Sequence, residues 1–189
     1  MTELVKIHYP QDFEEQHTKD VLRLIGEKCV TQKRHEPHVV LIAGSKARKF
    51  TFEIAKILTN ITEKGEIDAI NCNPAKERYL LDEEIVAALQ KPSNTIILNG
   101  SDNFLNDIDK LRSDTPLSLH SLCDVDHPLN PSALILLTID GTNFGMYPGC
   151  EQTIYNHLME EWQSDFMDID RASPILSRIT SHIICLKNG

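Results

Sequence analysis

Two almost unbroken apolar runs, Val39-Val40-Leu41-Ile42-Ala43 and Ala133-Leu134-Ile135-Leu136-Leu137-Thr138-Ile139, constrain this chain more than any other feature of it. A strand with one wet face alternates apolar and polar residues. A run without alternation has both faces covered, as in a parallel sheet lying between helices. The first run, closed by Gly44, predicts a doubly buried strand, and the second, the most apolar stretch in the chain, predicts a central one. Ile67-Asp68-Ala69-Ile70-Asn71-Cys72 predicts a more polar strand nearer an edge. Thr95-Ile96-Ile97-Leu98 predicts a third strand ending at Asn99-Gly100, and a final one runs from His182 to Leu186.

Helical spacing fills the intervals. Asp12-Phe13-Glu14-Glu15 has the cap-then-Glu pattern of a helix start, continued by Val21, Leu22, Ile25 and Cys29 and ending before His35-Glu36-Pro37. Phe50, Ile54, Ile57 and Leu58 mark a helix up to Asn60; Asp82 is placed to cap one carrying Ile85, Ala88 and Leu89 and stopped by Pro92. Phe104, Ile108 and Leu111 suit a helix, and residues 113–132, with three prolines, form a long connection with one helical turn at 119–123. Ile154, Leu158 and Trp162 define the next helix. Strands alternating with helices, with no repeat and no second core, predict one α/β domain over residues 1–189: a three-layer sandwich around a mostly parallel sheet.

A formal charge of −9 disfavours a general nucleic-acid role, since the basic residues cluster only at Lys33-Arg34 and Lys46-Ala47-Arg48-Lys49. No apolar run approaches the roughly 18 residues of a membrane span, and the N-terminus has no signal-peptide core, so any membrane anchor lies outside this sequence. The five cysteines, Cys29, Cys72, Cys123, Cys150 and Cys185, contain no CxxC pair. Their odd number and lack of metal spacing disfavour a zinc site or a disulfide framework, and leave at most two bridges, of unspecified pairing. Asn60-Ile61-Thr62 and Asn99-Gly100-Ser101 match the glycosylation acceptor pattern, with Asn99 close to a buried strand.

The first strand leads through Gly44-Ser45-Lys46-Ala47-Arg48-Lys49-Phe50-Thr51 into a helix, where a nucleotide-binding sandwich places its phosphate loop. Such a loop needs Gly at its sixth position and Lys at its seventh. Here Lys49 and Phe50 occupy those places, and only Gly44 and Thr51 keep the pattern. The third strand ends in Asn99-Gly100, where a P-loop enzyme carries the Asp that holds magnesium, and Asn lacks that charge. The framework reads as a P-loop ATPase with a dead site, or as an unrelated sandwich that shares a Gly and a Thr. Other constellations are weaker. His35 and His38 flank Pro37 as turn histidines do; Asp165, Asp168 and Asp170 lack the Gly and closing Glu of a calcium loop; no cysteine sits beside a base.

The segment Ser173-Pro174-Ile175-Leu176-Ser177-Arg178-Ile179 reads as a short helix, with Ser173 as cap and Pro174 at its first position. Ile175, Leu176 and Ile179 share one face, and Arg178 falls roughly 100° from the middle of it, on the flank. Three aliphatic anchors tied to a strand make a rigid mount for one cation. The plain alternative is a surface arginine paired with a nearby carboxylate.

With these residues in hand, the chain resembles the luminal domains of the lamina-associated polypeptide 1 and luminal-domain-like family, the torsin-1A-interacting proteins. The likeness is strongest over residues 133–186: an apolar strand, the helix around Ile154 to Trp162, Met167-Asp168-x-Asp170, then Ser177-Arg178-Ile179 through His182 into an aliphatic strand. Vertebrate members carry Trp-Ser-Arg-Ile-Ser-His there; here Leu176 replaces the Trp, and Thr180-Ser181 adds one residue before His182. Residues 37–99 agree in pattern only. The resemblance implies a degenerate AAA+-like domain that binds no nucleotide or metal cofactor of its own. It also implies a place in the lumen of the endoplasmic reticulum or perinuclear space behind a single anchor, and activation of ATP-loaded torsin as its partner in a ring or heterodimer. The family's arginine finger aligns with Arg178. Rival expectations on the same fold are a nucleotide- or small-molecule-binding enzyme and an interaction-only adaptor.

Overall fold

The computed structural model describes residues 6, 9–30, 37–62, 67–91, 95–99, 107–122, 128–141 and 144–187. After a single helical turn at Pro10–Phe13 come α1 (Gln16–Val30), β1 (His38–Gly44), α2 (Ala47–Thr62), β2 (Ile67–Asn71), α3 (Arg78–Gln90) and β3 (Thr95–Asn99). The chain then makes 3-10 turns at Ile108–Lys110 and Thr115–Ser118 and a one-turn helix at Leu119–Leu122. It continues into β4 (Leu134–Ile139), α4 (Gly149–Trp162), α5 (Ile169–Ile179) and β5 (Ile183–Leu186).

The five strands form one all-parallel sheet in the order β2-β3-β4-β1-β5. The two apolar runs are neighbours inside it, with Val39 opposite Ile135 and Leu41 opposite Leu137, and every residue of both strands is buried. Parallel pairing explains the lack of alternation: odd and even positions both face protein. Val39, Leu41, Ala43, Ile135, Leu137, Ile183 and Cys185 point into a core covered by α3, α4, α5 and the 3-10 turns. Val40, Ile42, Leu134, Leu136, Ile184 and Leu186 point the other way, against α1 and α2. These are the helix, sheet and helix layers expected. The more polar β2 lies at one edge, and β5 is the other, flanked by α1, whose His17 Nε2 donates to the Ile183 carbonyl at 2.9 Å.

Three helix starts differ from their sequence expectations. Asp12 lies in the single turn Pro10–Phe13, and α1 begins only at Gln16. Asp82 sits inside α3, which starts at Arg78; the earlier start adds Leu81 to the buried stripe of Ile85, Ala88 and Leu89. Ser173 is likewise interior to α5. That helix is capped by Asp168, whose Oδ1 accepts from the Arg171 N–H at 3.0 Å, and Pro174 is tolerated inside it. Starting at Ile169 brings Ala172 onto the buried face with Ile175, Leu176 and Ile179, and burying a further residue outweighs the cap that Ser173 offers. The helix expected around Ile108 and Leu111 is a 3-10 turn that buries both residues, while Phe104 lies outside the described residues.

Candidate functional site

The connections from β1 and β4 leave on opposite faces, because α2 packs on one side of the sheet and α4 and α5 on the other. Adjacent strands with diverging connections open a crevice beyond their carboxyl ends, where open α/β sheets bind ligands. Only Ser45 and Lys46 separate β1 from α2, too little chain to wrap a phosphate. Gly44 has φ +125°, and a Cβ there would stand 2.4 Å from the Leu186 carbonyl oxygen, so its glycine serves the close approach of β5. Phe50 is fully buried, with its ring edge-on to Tyr9 at 4.8 Å, and the Thr51 hydroxyl donates to the Ala47 carbonyl at 2.8 Å. The two positions that keep the phosphate-loop pattern thus have local structural roles.

At the crevice stands an ion cluster that sequence reading missed. Arg48 Nε lies 3.2 Å from Asp140 Oδ2 and 3.9 Å from Asp107 Oδ2. Asp107, fully covered, also accepts from the Asp140 N–H at 2.8 Å and from the Thr138 hydroxyl. A guanidinium on two carboxylates therefore occupies the end of β1 and β4. The available sequence signal was charge soon after each apolar strand, in Lys46-Ala47-Arg48 just past Gly44 and in Asp140 next to Ile139, with no such signal at Asp107.

Arg178 lies on the last turn of α5, exposed, while its neighbours Ile175, Leu176 and Ile179 are wholly buried. The flank position expected from helical spacing is realised, and the mount is firm: the Thr180 N–H and hydroxyl both bond the Leu176 carbonyl before the chain enters β5. Arg23, Arg48, Arg78 and Arg112 are each paired with a carboxylate. Among the described residues no carboxylate lies within 4.0 Å of Arg178; its Nη1 is 3.1 Å from His120 Nε2. Among the described residues the surface ion pair that sequence reading allowed is not seen. Arg178 precedes the amino end of β5, whereas the loop after β1 follows a carboxyl end. In a parallel sheet these positions lie toward opposite ends of the strands.

His38 is buried at the start of β1, with its ring edge-on to His182 at 4.6 Å, and His35 lies outside the described residues. No group of three metal-ligating side chains occurs among the described residues; Asp165, Asp168 and Asp170 are exposed, with Asp168 acting as a cap. Cys150 and Cys185 form a disulfide joining α4 to β5. Cys72 is a buried free thiol whose pKa burial pushes far up, so it is a poor nucleophile. The remaining two cysteine side chains, Cys29 and Cys123, lie outside what is described. Asn60 is exposed near the end of α2, and Asn99 is the last residue of β3.

An open groove of about 570 Å³ runs between the start of α3 and residues 112–115. Its cations are matched by carboxylates: Lys76 with Glu84 at 2.6 Å, Arg78 with Asp82 and Asp114 at 3.6 and 3.5 Å, Arg112 with Glu161 at 2.7 Å. No family model and no curated protein sequence matches the chain.

Proposed function

We propose that this chain is a non-enzymatic activator of torsin ATPases: a degenerate AAA+-like domain that binds ATP-loaded torsin and supplies Arg178 in trans as an arginine finger. The observation that carries the reading is Arg178 itself, exposed on a buried anchor and without a carboxylate partner among the described residues. A paired guanidinium has its charge largely cancelled, while one without a carboxylate presents it to a phosphate. The position of the side chain adds a second support. It lies away from the crevice at β1 and β4, so a nucleotide it touches belongs to a neighbouring subunit in a head-to-tail contact. A third support is the crevice, where Arg48 holds Asp107 and Asp140 and the two-residue link from β1 to α2 is too short to wrap a phosphate. The Cys150–Cys185 bridge suits the oxidising lumen of the endoplasmic reticulum or perinuclear space.

The test is torsin ATPase turnover with and without the full chain. An arginine finger contributes about 10³- to 10⁵-fold in rate. Arg178→Ala is expected to abolish stimulation while leaving the fold and the binding of ATP-loaded torsin intact. Arg178→Lys is expected to recover little, because one ammonium cannot reproduce the planar fork. Normal stimulation by Arg178→Ala overturns the assignment, and Mg-ATP binding to the isolated chain at physiological concentration favours an enzyme on the same fold.

A further inference from the structure

The partner that Arg178 does have is unusual for an arginine. Its Nη1 stands 3.1 Å from Nε2 of His120, and both side chains are exposed. A guanidinium has only donors, so this contact is a hydrogen bond when Nε2 accepts, which requires a neutral imidazole with its proton on Nδ1. His120 has its own anchor. Leu119 and Leu122 on either side are fully buried, and the Ser121 hydroxyl donates to the Ser118 carbonyl at 2.7 Å. The preceding turn is tied to the start of α3 by Thr115 Oγ1 donating to the Lys76 carbonyl at 2.9 Å and Ser118 Oγ to the Arg78 carbonyl at 3.3 Å. Two exposed side chains on separately buried mounts therefore meet tip to tip.

We propose that His120 is a positioning residue for Arg178, a neutral acceptor that aims the guanidinium without cancelling its charge. This rests on the arginine-finger reading and goes beyond it. An arginine side chain in water samples many rotamers, and a finger acts only in the fraction aimed at the phosphate. A carboxylate at residue 120 would hold the guanidinium more tightly, but it would neutralise the charge that the transition state needs. An ammonium would repel it. A neutral imidazole fixes one Nη and leaves the net positive charge whole.

The experiment measures torsin ATPase stimulation across a concentration series of the full chain carrying His120→Ala, His120→Gln or His120→Asp, beside Arg178→Ala. Expected for His120→Ala is a fall of about 3- to 10-fold in maximal stimulation, the range of one net hydrogen bond, with half-saturating concentration and thermal midpoint unchanged. His120→Gln, whose Oε1 accepts the same bond, retains most of the stimulation; His120→Asp, which restrains and neutralises, loses more than His120→Ala. Full stimulation by His120→Ala, or equal behaviour of the Gln and Asp variants, overturns the proposal. If Arg178→Ala stimulates normally, the finger reading itself falls.

A readout on the free chain keeps the two apart. In neutral to alkaline buffer, imidazole nitrogen NMR of His120 should show an unprotonated Nε2 whose shift changes in Arg178→Ala. A protonated Nε2, or no change, removes the contact and overturns the positioning role whatever torsin does.

Discussion

Arg178 and Arg48 show how differently one residue type can be used within 189 residues. Arg178 has buried neighbours and an exposed tip that meets His120. Arg48 is mostly covered and lies between Asp140 and the fully covered Asp107. A covered ion pair contributes little compared with an apolar substitute of the same shape, but removing one member strands the others away from water. Asp107→Asn is therefore expected to destabilise the fold by about 3–5 kcal/mol, measured by chemical denaturation, because Arg48 and the Thr138 hydroxyl lose an ionised acceptor. Arg48→Met strands both carboxylates, with Asp107 fully covered, so it should cost at least as much as Asp107→Asn, which leaves Arg48 its closer partner Asp140. A smaller loss for Arg48→Met would mean that the Asp140 N–H and the Thr138 hydroxyl, and not the guanidinium, hold Asp107. Position along the chain hinted that 178 was a flank residue. Nothing local distinguished the mutually bonded Asp107 and Asp140, which are 33 residues apart.

At the scale of an element, α5 offers the sharpest contrast between sequence and structure. Its apolar stripe was legible, but its start was not, since Asp168 and Ser173 are both good capping residues. The structure makes Asp168 the cap and leaves Ser173 accepting from the Tyr155 hydroxyl at 3.2 Å. Asp168→Ala is accordingly expected to cost about 0.5–2 kcal/mol and lower the thermal midpoint, with Ser173→Ala costing less. The reverse order would restore the shorter helix. The turn at Ile108–Lys110 is fixed to α4 by a second charged set. Asp109 bonds His157 at 3.1 Å and Lys110 at 2.7 Å, and the Trp162 indole N–H donates to the Ile108 carbonyl at 3.0 Å. Burial pushes the Asp109 carboxyl up, but its hydrogen bonds with His157 and Lys110, and their charges, bring it below its ordinary value of 3.8. A carboxylate held low in the folded state stabilises the fold above its unfolded value, and that stabilisation is lost as pH falls through the lowered one. The denaturation midpoint of the native chain should thus drop on acidification below about pH 4. In Asp109→Asn, weaker at neutral pH, that step should be reduced.

For the molecule as a whole, the arrangement of layers decides what the chain can offer a partner. The crevice at the carboxyl ends of β1 and β4 and the cation before the amino end of β5 lie toward opposite ends of the strands of one parallel sheet. In the proposed reading, a head-to-tail neighbour would bring the Arg178 end of one subunit to the crevice of the next. The disulfide ties α4, which follows β4, to β5 across a separation of 35 residues. Closing a loop of that size contributes about 3–4 kcal/mol in the chain-entropy account. Cys150→Ser with Cys185→Ser is expected to lower stability by an amount of that order, and added reductant should lower the native chain's denaturation midpoint while leaving the double variant's unchanged.

Sequence by itself determined the layers. Apolar runs without alternation can be buried only on both faces, and spacings of three and four residues fix which side of each helix turns inward, so β1, β4 and the flank position of Arg178 were legible from local pattern. It also excluded the phosphate loop, because Lys49 and Phe50 stand where Gly and Lys are required. Tertiary structure alone decided the strand order, the pairing of Cys150 with Cys185, the cluster of Arg48 with Asp107 and Asp140, and the meeting of Arg178 with His120. Each of these joins residues far apart in the chain, from 28 positions for Ile67 beside Thr95 to 142 for Leu41 beside Ile183, and local periodicity carries no information about contacts made only when distant elements pack.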